Sequence, residues 1–88
     1  MSQDVESARS LEIRAHLDDL GRVRDFINEL VPPGSLGGDG ADELLLAVDE
    51  AVSNVIMHGG SRADGRIEVQ VARNPDATCV RIRDEARL

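Results

Sequence analysis

The sequence predicts an α+β two-layer domain, with helices packed on one face of a small mixed sheet. Three observations carry this. Apolar and polar residues alternate in three short stretches, apolar residues recur at helical spacing in two longer ones, and the resulting order is strand, helix, helix, strand, strand.

Residues 1–8 read as a flexible tail and 9–88 as one domain. Leu11, Ile13 and Ala15 alternate with Glu12, Arg14 and His16, as in a first strand. Asp18 offers an N-cap to a helix in which Leu20, Val23, Ile27 and Leu30 recur with Phe26 beside them, and the helix should stop before Pro32 and Pro33. The segment from Pro32 to Gly40 is punctuated by Gly and Pro and reads as a flexible loop. A second helix is expected over Asp42 to His58. Asp39 is placed to cap it, Asp42 and Glu43 sit at its positive end, and Gly59–Gly60 can terminate it. Ile67, Val69 and Val71 alternate with Glu68 and Gln70 as a second strand. Asn74–Pro75–Asp76 makes a turn, and Thr78, Val80 and Ile82 alternate with Cys79, Arg81 and Arg83 as a third.

At 88 residues the chain is near the size where one core is only just sufficient, and Phe26 is its one aromatic residue, so that core must be aliphatic. A formal charge of −7 argues against general nucleic-acid binding and against a polybasic membrane anchor. All ten cations are Arg. Without Lys there is no P-loop and no Schiff-base chemistry, and the Arg-, Ala- and Gly-rich composition points to a GC-rich bacterial genome. The single Cys79 cannot form an internal disulfide and is expected as a small core residue of the third strand. No apolar run approaches the ~18 residues of a membrane span, and the polar N-terminus lacks a signal-peptide core. A cytoplasmic setting is expected.

On a helical wheel of residues 42–58, at about 100° per residue, Leu44, Val48, Ala51 and Val55 cluster in a narrow arc, with Val52 also on the buried face. Glu50, Asn54 and His58, each four apart, are expected in the sector beside that arc, and Asp49 on the far side. Spacing alone gives this row the form of an ordinary solvated helix edge. Where such a row lines a cleft, an Asn oxygen can complete the octahedron of a phosphate-bridging Mg²⁺. A Glu one turn away can orient or deprotonate an attacking hydroxyl or water. Asp84 continues the inward register of Thr78, Val80 and Ile82. It is either solvated at a finished strand end or aimed at a donor, such as the amino group of a ligand base.

The stretch ELLLAVDEAVSNVIMHGG closely resembles the N-box helix of the GHKL (Bergerat-fold) ATPases, in the form found in anti-sigma-factor serine kinases. The order of elements from Leu11 onward is similar to that family's, so an incomplete histidine-kinase-like ATPase fold is expected. The resemblance implies ATP and Mg²⁺ as cofactors, Glu50 as catalytic base, Asn54 as Mg²⁺ ligand, Asp84 as reader of the adenine amino group and His58 as a structural or near-phosphate residue. It implies an ATP-dependent protein serine/threonine kinase that binds a sigma factor, phosphorylates an anti-sigma-factor antagonist, or both, and so regulates transcription.

The pattern departs from the family at its end. Where D-x-G-x-G is expected, the sequence reads Asp84-Glu85-Ala86-Arg87-Leu88, and no lid or later glycine box follows. Weak or absent nucleotide binding, and no kinase activity, are therefore expected of these 88 residues alone. A non-catalytic partner-binding module or fragment of the same fold stays open as the alternative, as does a piece of a sensor histidine kinase. The short helix-to-strand path, the His-Gly ending and the few residues before Leu11 favour the anti-sigma type over the last. A third strand without successor also predicts a homo-oligomer formed through the open sheet edge, or a partner that completes the sheet.

Overall fold

The computed structural model describes residues 7–58, 65–74 and 76–85. Strand β1 (Ser7–Arg14) leads through a short 3₁₀ turn (Leu17–Asp19) into helix α1 (Leu20–Leu30). Helix α2 (Gly40–His58), β2 (Arg66–Asn74) and β3 (Ala77–Glu85) follow. The two-layer α+β architecture is the one expected. The sheet is antiparallel throughout, in the order β1-β2-β3, where a mixed sheet was expected. β1 begins at Ser7, two residues inside the stretch expected to be a loose tail, because Ser7 and Ala8 pair with Arg73 and Ala72.

Register decides which side chains meet. Leu11, Val69 and Ile82 lie abreast, as do Ile13, Ile67 and Asp84, so these rows share the helix-facing side of the sheet. Ile13, Ile67, Val69 and Val71 are buried there, under Val23, Phe26 and Ile27 of α1 and Ala41, Val48 and Val52 of α2. The core is aliphatic as expected, with Phe26 at its edge. Each fully buried Ile or Val contributes roughly 1.5–3 kcal/mol relative to exposure.

Local chemistry explains the element ends, with one correction. Asp18 does not cap the first helix. His16 does so for the 3₁₀ turn, its Nδ1 accepting the Asp18 N–H at 3.3 Å. Asp19, next to α1, makes no side-chain cap because its carboxylate is taken by Arg14. α1 stops as expected: the Val31 N–H closes on the Ile27 carbonyl at 2.7 Å, and Pro32 then has no N–H to offer. The glycine-rich loop is a chain of hydrogen-bonded turns, with Gly34 and Gly37 at φ 84° and 80°, a region where a Cβ is strained. Asp39 stands at the N-cap of α2, its carbonyl accepting the Glu43 N–H at 2.9 Å. The Gly59–Gly60 terminator lies outside the described residues. Asn74 makes the expected turn, its Oδ1 accepting the N–H groups of Asp76 and Ala77, both at 2.8 Å.

Cys79 is exposed, contrary to its expected place in the core. It pairs with Ala72 on the face of the sheet away from the helices, because in β3 the residues facing the helices are Val80, Ile82 and Asp84. Among the described residues no helix is long and apolar enough to cross a membrane.

Candidate functional site

Two side-chain contacts and one shared hollow show how the helices lie over the sheet. At the end of the sheet where β1 starts and β2 finishes, Arg73 Nη1 donates to the Leu30 carbonyl at 2.8 Å, so α1 finishes there. Ser35 and Leu36, leading into α2, line a hollow of about 350 Å³ with Arg73, Asn74 and Thr78 at the same end. α2 then runs back beside α1, joined to it by Arg24 and Asp49, and packs on β3. Its C-terminal turns therefore approach the opposite end of the sheet, where β2 starts, β3 finishes and Asp84 stands opposite Ile67.

Burial shows the rotation of α2 about its axis. Ala41, Val48 and Val52 are buried, and Leu44, Leu45, Val55 and Ile56 are half-buried around them. Glu50, Asn54 and His58 are all exposed. At about 100° per residue they fall about 200°, 240° and 280° round from Val48. Only His58 adjoins the buried stripe, and Glu50 points to solvent. The expectation that all three border the stripe is corrected, whereas Asp49 does stand on the far side of the stripe from them. About 100° from Val48, Asp49 sits at the margin facing α1, its side chain 25% exposed. Arg24 grips it with two points, Nε to Oδ1 at 2.9 Å and Nη2 to Oδ2 at 3.3 Å. That hydrogen-bonded, charged contact raises the Arg24 pKa further above its ordinary value.

The Glu50–Asn54–His58 row therefore runs along the side of α2 turned away from α1. Asp84 is half-buried on the helix-facing side of β3, as its register required. α2 packs on β3, the strand that carries Asp84, while Glu50 and Asn54 face away from the sheet. Ala86 and Leu88 lie outside the described residues.

Among the described residues, no group of three or more His, Cys, Asp or Glu could hold a metal ion. The donors present still fit Mg²⁺ of a particular kind. A carboxamide and a carboxylate one turn apart supply hard oxygens, which suits an ion that arrives on phosphates and keeps several waters. Asn54 would be its protein ligand, and Glu50 would act on a neighbouring hydroxyl or water.

Two residues with structural consequence escaped the sequence reading. Asp49 does lie on the far side of the stripe from the Glu50–Asn54–His58 row, but its contact with Arg24 across 25 residues of sequence is not legible on the wheel. Asp19 is the one buried charged residue among the described residues, 5% exposed. Nothing in the sequence distinguishes it from Asp18. Compared with known proteins, residues 13–88 match the histidine kinase-like ATPase domain family. No curated protein matches the chain.

Proposed function

This chain belongs to the histidine kinase-like ATPase domain family, and on that premise we propose that it is an adenine-nucleotide-dependent regulator of the anti-sigma-factor serine kinase type. The observation that carries the reading is the exposed Glu50–Asn54 pair on the open side of α2, with Asp84 inward on the strand beneath that helix. Glu50 is the base toward a substrate hydroxyl, Asn54 the Mg²⁺ ligand, and Asp84 the acceptor for the adenine amino group. His58 holds the helix end near the phosphates. A bound Mg²⁺ would neutralise phosphate charge; the protein's part is to place the nucleotide and receive a proton at the Glu50 carboxylate. The partners are a sigma factor and an anti-sigma-factor antagonist carrying the accepting serine, in a cytoplasmic, bacterial setting.

Titration calorimetry with MgATP and MgADP tests the reading. Weak or absent binding is expected, with little gain from the third phosphate, and Asn54→Ala should remove what gain there is. Nucleotide binding indifferent to both Asn54→Ala and Asp84→Ala would place the nucleotide elsewhere and sink the assignment.

A second reading is favoured by Ala86 and Leu88, which stand where the family's pattern has glycines that let backbone approach the nucleotide. In it the domain binds its protein partner without catalysis. Partner capture at equal affinity with and without MgATP would favour this module. β3 pairs with β2 alone among the described residues, and its other edge offers backbone groups to a second copy. Light scattering over a concentration series reads that association directly, and a monomer at high concentration would exclude it.

A further inference from the structure

We propose that the Arg24–Asp49 pair is a positioning device for the nucleotide site, setting the rotation of α2 about its axis and hence the direction in which Glu50 and Asn54 present their oxygens. The inference rests on the site reading given above, and it starts from what the rest of the α2 interface leaves undetermined. The fully buried contacts of α2 are small and aliphatic: Ala41, Val48 and Val52. Burial of such groups is non-directional and scales with area. A modest roll of the helix exchanges Leu44 and Val55 on one flank for Leu45 and Ile56 on the other, with little change in apolar area.

Arg24 and Asp49 remove that freedom. Their contact joins two helices across 25 positions of sequence through two N–H···O bonds, one to each carboxylate oxygen, at 2.9 and 3.3 Å. A two-point guanidinium–carboxylate contact specifies orientation as well as distance. With Arg24 half exposed, its energetic worth is small. Its information is angular. Side-chain tips on α2 stand about 5–6 Å from the axis, so a roll of about 20° moves them about 2 Å. A displacement of about 1 Å at a reacting group can cost about a hundredfold in rate. Asp49 is bonded directly to Glu50 in the chain and precedes Asn54 by five residues, so no intervening flexible element dilutes the effect.

The test uses the full chain and four variants: Arg24→Ala, Asp49→Ala, Arg24→Lys, and the charge exchange Arg24→Asp with Asp49→Arg. Without nucleotide, backbone amide spectra of the two alanine variants should show matching shifts over residues 50–58, with the sheet signals unmoved. Arg24→Lys keeps the charge but loses the fork, and should show the same shifts. The charge exchange should return them toward wild type. With MgATP, affinity should fall about tenfold in each alanine variant and recover in the exchange. Unmoved signals over residues 50–58, or an affinity loss that follows the unfolded fraction and is not rescued, would overturn the proposal. A wild-type chain that binds no adenine nucleotide would favour the non-catalytic module over the site reading instead. The positioning of residues 50–58 is then decided by the nucleotide-free spectra.

Discussion

Asp19 accepts the backbone N–H of Arg14 at 3.0 Å and holds the guanidinium of the same residue through Nη2 at 3.1 Å and Nε at 3.3 Å. The contact closes the corner at which β1 turns into α1, and Arg22 approaches the same carboxylate at 3.8 Å. The guanidinium and the backbone N–H of Arg14 outweigh the effect of burial and hold the Asp19 pKa below the ordinary carboxylate value, while Asp19 raises that of Arg14. A depressed carboxylate pKa stabilises the folded state above the unfolded value and loses its effect as pH falls through the folded one. Asp19→Asn should therefore lower the melting temperature by several degrees at neutral pH, and the gap to wild type should close in acid. Thermal unfolding followed by circular dichroism across that range checks it. A gap that stays constant into strong acid would show that charge is not the source.

The central core position of α1 offers a calibrated probe. Ile27 is fully buried between the sheet and α2. Ile27→Val should cost about 0.5–1.5 kcal/mol and Ile27→Ala about 2–5 kcal/mol. Against a total stability of about 5–15 kcal/mol for a domain, the Ala variant should lose a large share of it and unfold at a markedly lower urea concentration than wild type. Urea titrations read both, and a cost below a few tenths of a kcal/mol for Ile27→Ala would place Ile27 outside the cooperative core.

At the other end of the sheet, Asn74 satisfies two consecutive backbone donors of the β2–β3 connection with one side-chain oxygen. Asn74→Ala leaves both to water and should cost about 1 kcal/mol. Asn74→Asp, which keeps the acceptor, should cost less. Equal losses in the two variants would show that the amide group, and not the oxygen, matters.

Cys79 faces outward from β3. Its thiol should react with a maleimide reagent in the native protein nearly as fast as in urea. Strong protection in the native state would put Cys79 in a core, as its apolar strand neighbours suggest when the sequence is read alone.

For Asp84, the proposed adenine contact is a hydrogen bond to a charged acceptor, a class that contributes about 1.5–3 kcal/mol. Asp84→Ala should accordingly weaken ATP binding about tenfold or more and erase any preference for ATP over GTP. Unchanged discrimination between the two nucleotides would remove Asp84 from base recognition.

The sequence by itself determined the elements, because each is written in local periodicity. The two-residue alternation at Ile67, Val69 and Val71 and the three-and-four spacing at Val23, Phe26 and Ile27 are properties of a single strand or helix, whatever it later packs on. Pro32 ended α1 and Asn74 made its turn for equally local reasons. The inward register of Asp84 was also legible, since parity along β3 needs no partner. Only the tertiary structure decided what lies between elements. That the sheet is antiparallel throughout depends on how β1 and β2 pair across both helices. That Asp19 is buried and Asp18 is not depends on where the Arg14 side chain folds back. The wheel of α2 carries the same lesson. It shows which residues share a side, but the direction of that side is set by α1 and β3 together. Asp49 faces Arg24, and Glu50 faces solvent, because α1 stands on one flank of α2 while, among the described residues, nothing packs on the other.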